Sequence, residues 1–258
     1  MAKKITAIAT QKKAGRFNIY LDGKYAFSVS EDVLIKYRLA KGLELDEEMI
    51  EHLQQADLLS KAYNKALDHL SYQLRTKKEI KIYLTKLEVP ENDQNQIISK
   101  LVELNLLDDL AYAKSYVRTA AKTTDKGPFV IAQKLKQKGV AEEFINEALI
   151  EFSLEQQVQT ALKLAEKFVA KNKKLAFQAL KNKLYQHLAT KGFSSETISL
   201  VLEELALKKD DTLQLEALRE QGAKLLRRYQ RYPQPECFFK LKQALYRKGY
   251  CLSEIERH

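Results

Sequence analysis

Residues able to do chemistry are sparse in this sequence. Its four histidines, His52, His69, His187 and His258, lie far apart. None has an i,i+4 partner in a His-Glu-x-x-His pattern, the spacing by which one helix face grips zinc, so each is expected at the surface or in helix packing. The two cysteines, Cys237 and Cys251, form no Cys-x-x-Cys pair. They are too few to staple a secreted chain of this length, and a reducing cytoplasm fits best. Asp108 and Asp109, with Glu103 nearby, come closest to a carboxylate cluster, but they stand where one helix should end and the next begin. A helix N-cap accounts for both acids without a metal. No Gly-x-x-x-x-Gly-Lys-Ser/Thr loop and no Gly-x-Gly-x-x-Gly turn is present to cradle a phosphate. No catalytic, metal or cofactor site is therefore assigned, and the chain reads as a binding protein, not an enzyme.

The remaining candidates are cations beside aromatic rings. The formal charge is +10, which suits an acidic partner. Lys and Arg against Asp and Glu number 9 to 8 over residues 1–55, 8 to 8 over 56–108 and 7 to 6 over 109–153. The balance then shifts to 8 against 5 over 154–207 and 12 against 7 over 208–258. A polyanion should be met chiefly by the last two segments; the plainer alternative is that surface lysines only confer solubility. Tyr83, Tyr112, Tyr116, Tyr185, Tyr229, Tyr232, Tyr246 and Tyr250 could in principle stack on bases. Most fall on apolar stripes, and Tyr112 and Tyr116 are expected in packing. Tyr229 and Tyr232, interleaved with Arg227, Arg228 and Arg231, are the best contact candidates. Lys191, Arg247 and Lys248, in the same two basic segments, complete the set.

The elements that must position these residues are mostly helical. Leu, Lys, Ala, Glu and Gln abound, Trp is absent, and Gly and Pro number 8 and 4, a composition that favours helix. No apolar stretch is long enough for a membrane span, and no apolar segment follows Met-Ala-Lys-Lys as in a signal peptide. The first thirty residues differ: Ile5–Ile8, Phe17–Leu21 and Tyr25–Val29 carry strand residues, with Asp22-Gly23 as a hairpin turn. Ser30 should cap a helix opened by Glu31 and Asp32, and a second short helix should follow Asp46.

From residue 56 the chain repeats. Leu135-Lys136-Gln137-Lys138-Gly139, Leu188-Ala189-Thr190-Lys191-Gly192 and Leu245-Tyr246-Arg247-Lys248-Gly249 share one frame, followed by Val140, Phe193 or Tyr250 and, six residues past the glycine, Ile145, Ile198 or Ile255. The frame predicts a helix closed by a left-handed glycine, with Lys beside the last carbonyls and a new helix within a few residues. An earlier copy has Leu84, Glu88 where glycine is expected, Pro90 opening the next helix, and Gln94 where Ile is expected. Thr76-Lys77-Lys78-Glu79 reads as a capping box serving helix stability. Pro233 and Pro235 mark a boundary between helices. The predicted fold is mainly α: an α+β hairpin domain over 1–55, then three-helix repeats over 56–108, 109–155, 156–210 and a truncated 211–258, in an elongated curved stack.

Leu107-Asp108-Asp109-x-x-Tyr112-Ala113-x-x-Tyr116-Val117, the Leu-x-x-Leu helix before it and the Lys-Gly junctions resemble the regulatory protein RecX family. Arg16–Gly23 through Val29–Asp32 is similar to the N-terminal region of its longer, Gram-positive members. The resemblance covers nearly the whole chain. It implies a cytoplasmic, non-enzymatic protein that binds the RecA filament in its helical groove, meets DNA phosphates there, and modulates, mostly by inhibition, strand exchange, ATP hydrolysis and co-protease function. A monomer without membrane contact is expected. A helical-repeat protein that grips DNA directly, without RecA, is the alternative. A nuclease would need clustered acids that this sequence does not show.

Overall fold

A computed structural model describes residues 2–12, 14–206 and 211–256; of the histidines, His258 lies outside them. The described chain begins with β1 (Lys3–Thr10), β2 (Arg16–Leu21) and β3 (Lys24–Ser30), then α1 (Glu31–Lys36), a short β4 (Glu44–Leu45) and α2 (Glu47–Ser71). All strand pairs are antiparallel, in the order β3-β2-β1-β4. Asp22 and Gly23 both have positive φ, 47° and 83°, as a two-residue turn matching strand twist requires. Ile5, Ile19, Phe27 and Val29 from the sheet bury against Val33 of α1 and Leu53 of α2. Asp57, buried on α2, pairs with Arg16 at 2.5 Å and accepts the Ser30 amide at 2.8 Å. Ser30 in turn caps α1, its hydroxyl accepting the Val33 amide.

The helix expected to be short after Asp46 is instead 25 residues long and runs through residue 55 into the first repeat. Asp46 does cap it, accepting the Met49 amide. Its early residues bury in the sheet core while Ala62 and Ala66 bury against Ile80, Leu84, Ile97 and Leu101. One helix therefore serves two cores, which no stop signal between Leu53 and Ala62 interrupts.

The other helices are α3 (Lys77–Lys86), α4 (Glu91–Glu103), α5 (Asp109–Thr123), α6 (Pro128–Gln137), α7 (Glu142–Leu149), α8 (Leu154–Lys171), α9 (Phe177–Thr190), α10 (Ser195–Glu204), α11 (Asp211–Tyr229), α12 (Gln234–Arg247) and α13 (Leu252–Glu256). The protein is mostly helical and organised in three-helix repeats with a small N-terminal antiparallel sheet. It divides into two compact units, residues 1–112 with 138–140, and 113–137 with 141–258.

Gly139, Gly192 and Gly249 follow the ends of α6, α9 and α12 with φ of 84°, 92° and 92°. After Gly192 the Phe193 amide returns to the Leu188 carbonyl at 3.2 Å, and after Gly249 the Tyr250 amide returns to that of Leu245 at 3.3 Å. Glu88 adopts the same turn at φ 59°, with Val89 bonding back to Leu84 at 3.2 Å. Gln94 replaces the expected apolar residue because its amide nitrogen donates to the Val89 carbonyl of that turn at 2.7 Å. The fourth repeat has a third helix of only five residues. Its core of Leu218, Leu225, Leu245, Tyr250 and Ile255 is completed by Ala176 and Ala179 at the start of α9.

The glycines serve a second purpose. A Cβ on Gly139 would stand 2.7 Å from the Lys78 Cβ, one on Gly192 2.7 Å from the Val130 amide nitrogen, and one on Gly249 2.9 Å from that of Ala179. Each thus seats on the first turn of the preceding repeat's middle helix. Gly192→Ala should cost about 1–3 kcal/mol more than Gly42→Ala, since Gly42 has a similar φ of 96° but open space around it. Glu88→Gly should gain about 0.5–1 kcal/mol, the left-handed strain relieved less the added unfolded-state entropy. Urea denaturation of the three variants checks both.

Candidate nucleic-acid interface

The lysine before each frame glycine is placed by the turn itself, beside the same neighbouring helix start. Lys138 reaches Glu79 at 2.7 Å and lies 5.5 Å from the Tyr112 ring centroid, while the Lys138 carbonyl accepts from the Thr76 hydroxyl at 2.7 Å. The Thr76/Glu79 capping box is present, so it secures this joint as well as its own helix. Burial works against the Lys138 charge, but bonds to Glu79 and Tyr112 outweigh it and hold its pKa above the ordinary lysine value. Burial likewise opposes ionisation of Glu79, yet its bonds to Lys138 and the Thr76 backbone leave its pKa lowered.

Lys191, a sequence candidate for phosphate contact, is ion-paired with Asp125. The Gly127 amide donates to the Lys191 carbonyl at 2.8 Å and the Phe129 amide to that of Gly192 at 3.1 Å. The ion pair engages the Lys191 side chain while leaving about a third of it exposed. Of the two acids read as one N-cap, Asp108 does cap α5, accepting the Leu110 and Ala111 amides. Asp109 is buried and instead accepts the Lys77 amide at 2.9 Å, at the first turn of α3. Burial pushes its pKa up, the Lys77 amide pulling it only part of the way back. His52 bonds the Tyr37 hydroxyl, His69 stacks on Tyr83 and His187 on Phe168. Among the described residues no three His, Cys, Asp or Glu side chains converge to hold a metal.

The remaining candidates form two groups. Arg227 and Arg228 end α11, and Arg231 and Tyr232 occupy the turn before α12. Arg247 and Lys248 lie at the other end of α12, about 20 Å away along its axis. Arg227, Arg228, Arg231, Arg247 and Lys248 are exposed, and none has an ion-pair partner among the described residues. Tyr229 packs half-buried against the fourth core. Tyr232 lies beneath Lys240, whose ammonium is 3.7 Å from its ring centroid, with the Arg231 guanidinium at 5.1 Å. The Arg231 hydrogen bond to its hydroxyl, reinforced by both cations, lowers its pKa. Its ring is therefore engaged, whereas Phe238, Phe239 and Tyr246 of α12 are exposed. Neither Lys240 nor the two phenylalanines stood out in the sequence, although Lys240 lies four residues past its partner Glu236.

Family models match in chain order: the regulatory protein RecX N-terminal domain over residues 3–46, the first RecX three-helix domain over 62–101, and the second over 108–149. The third matches twice, over 155–202 and 212–257. This chain belongs to the RecX family. The regulatory protein RecX of Levilactobacillus brevis is 45% identical over 253 residues, covering 98% of this chain and 95% of its own. That of Bacillus subtilis is 42% identical over 254 residues, covering 98% and 96%. A crystal structure of regulatory protein RecX aligns with a TM-score of 0.74 and 46% identity, covering 78% of this chain and 99% of the other. One of RecX from Lactobacillus salivarius aligns with a TM-score of 0.58 and 43% identity, covering 59% and 99%.

In RecX terms the basic cluster lies on the second copy of the third three-helix domain, and Lys191 on the first. Lys191→Met should lower stability at neutral pH by less than about 1 kcal/mol, because the pair is part-exposed. Its hydrogen bond to Lys191 holds the Asp125 pKa below the usual value, so this contribution exists above about pH 4 and fades as pH falls through the lowered pKa. Melting curves of the variant and the parent should therefore converge in acid, with oligonucleotide binding at pH 7 unchanged.

Proposed function

We propose that this RecX-family chain is a cytoplasmic, monomeric, non-enzymatic regulator that binds the RecA–DNA nucleoprotein filament. It modulates, mostly by inhibition, recombinase, ATPase and co-protease activities in DNA repair and the SOS response, and needs no cofactor. The carrying observation is the ordered run of RecX domains from residue 3 to 257. The reading includes the division into an α+β domain over 1–55 and repeats over 56–108, 109–155, 156–210 and 211–258. The unpaired cations of the last repeat supply the attraction for DNA phosphates within the filament.

Those cations would equally serve a protein that grips DNA without RecA, and this is the second reading. The two differ in what RecA adds. A filament regulator suppresses DNA-dependent RecA ATPase at concentrations where its affinity for bare DNA is weak, whereas a direct binder shows the same steep salt dependence with or without RecA.

Reversing Arg227, Arg228 and Arg231 to Glu should weaken filament binding more than reversing Lys3, Lys4 and Lys12. Lys3 already faces Glu47 at 3.8 Å, while the three arginines have no ion-pair partner among the described residues. Each lost phosphate contact should flatten the salt slope by about 0.7–0.9. If the arginines only cover α11 with their aliphatic stems, the triple variant will melt lower yet inhibit the ATPase unchanged once folded. Melting temperature and ATPase inhibition measured on one preparation decide between these outcomes, and unchanged inhibition rejects the contact site.

A further inference from the structure

The buried face of α12 is formed by Cys237, Leu241, Ala244 and Leu245. At 100° per residue, Phe239 and Tyr246 fall on the opposite side, within about 20° of one another and about 10 Å apart along the axis. They are 68% and 59% exposed, while Phe238, about 80–100° round the helix from them, is 53% exposed. Among the described residues no ring contact engages any of the three.

Charge indicates what covers them. Lys242, on the same face, is paired with Glu256 at 3.1 Å and so is neutralised. Arg231 just before α12, and Arg247 at its end directly after Tyr246, flank the aromatic stripe along the axis, and neither has an ion-pair partner among the described residues. A partner complementary to both features carries closely spaced negative charges and flat apolar faces at once. A duplex offers the charges but hides its base faces in the stack; a strand with unpaired bases offers both.

We propose that the solvent face of α12 is a stacking platform for single-stranded nucleic acid, with bases on Phe239 and Tyr246 and phosphates drawn to the cations at either end. This rests on the nucleic-acid part of the function proposed above and names the strand form that the last repeat takes. The aromatics give strand selectivity and the cations give salt-dependent affinity.

The test uses the full chain with fluorescein-labelled oligo(dT) and a duplex of equal length, without RecA. Phe239→Ala with Tyr246→Ala should weaken oligo(dT) binding about tenfold or more, change duplex binding less than twofold, and leave the salt slope and melting temperature as they were. Arg231→Glu with Arg247→Glu should weaken both ligands and flatten the slope. The chain has no Trp, so Tyr246→Trp introduces a single reporter that oligo(dT) should quench while affinity is retained. Equal losses on strand and duplex, or an unquenched reporter, overturn the proposal. So does intact oligo(dT) binding with lost ATPase inhibition in the double alanine variant, which would mark the stripe as a protein-docking face. RecA ATPase inhibition by the parent chain is measured separately; its absence rejects the filament reading while leaving the strand-selectivity result to stand or fall alone.

Discussion

The left-handed residue that ends the middle helix of each repeat is the constraint on which the other arrangements depend. It must reverse the chain sharply enough for the third helix to pack against the second, which requires positive φ and makes glycine the least strained choice. In the second to fourth repeats it must also admit the first turn of the preceding middle helix to a separation no Cβ would allow. Glu88 separates the two demands. It makes the same turn in the first repeat, but it is exposed, so only the backbone demand remains and a non-glycine residue survives at a modest energetic cost.

The same geometry fixes where the lysine before each glycine points, and its fate then depends on the residue that awaits it. Lys138 finds Glu79, and Lys191 finds Asp125, three residues ahead of α6. Three residues ahead of α9 the chain carries Lys174, which pairs with Glu220 instead. Among the described residues Lys248 consequently has no ion-pair partner, and it is exposed. The positive character of the last repeat therefore comes partly from added cations and partly from a joint that no longer consumes one.

What was legible in the sequence is what is local. The Asp22-Gly23 turn, the Ser30 cap, the capping box at Thr76 and the glycine frames depend on neighbours within a few residues, and each lies where its pattern places it. Asp109 was read as part of its own helix's cap because nothing in its spacing shows the α3 amide that approaches from 32 residues earlier. The two-residue strand β4 exists only because Lys3 and Lys4 offer it an edge. The length of α2 reflects two cores, and a helix pattern cannot say how many cores it serves. Tyr229 and Tyr232 shared a basic context, but only coordinates separate a ring packed into a core or covered by Lys240 from one left open.

The distribution of charge and aromatic surface on α12 also limits how it can bind. At physiological salt the screening length is about 8 Å, whereas the cations at the two ends of the helix are about 20 Å apart along its axis. The two groups thus act as nearly independent attractions for negative charge. Electrostatics of this kind weakens steeply with salt and does not distinguish one strand form from another. Contact with aromatic faces is short-ranged and little affected by ions. On a helix that carries both exposed cations and exposed rings, discrimination between partners must come from the rings.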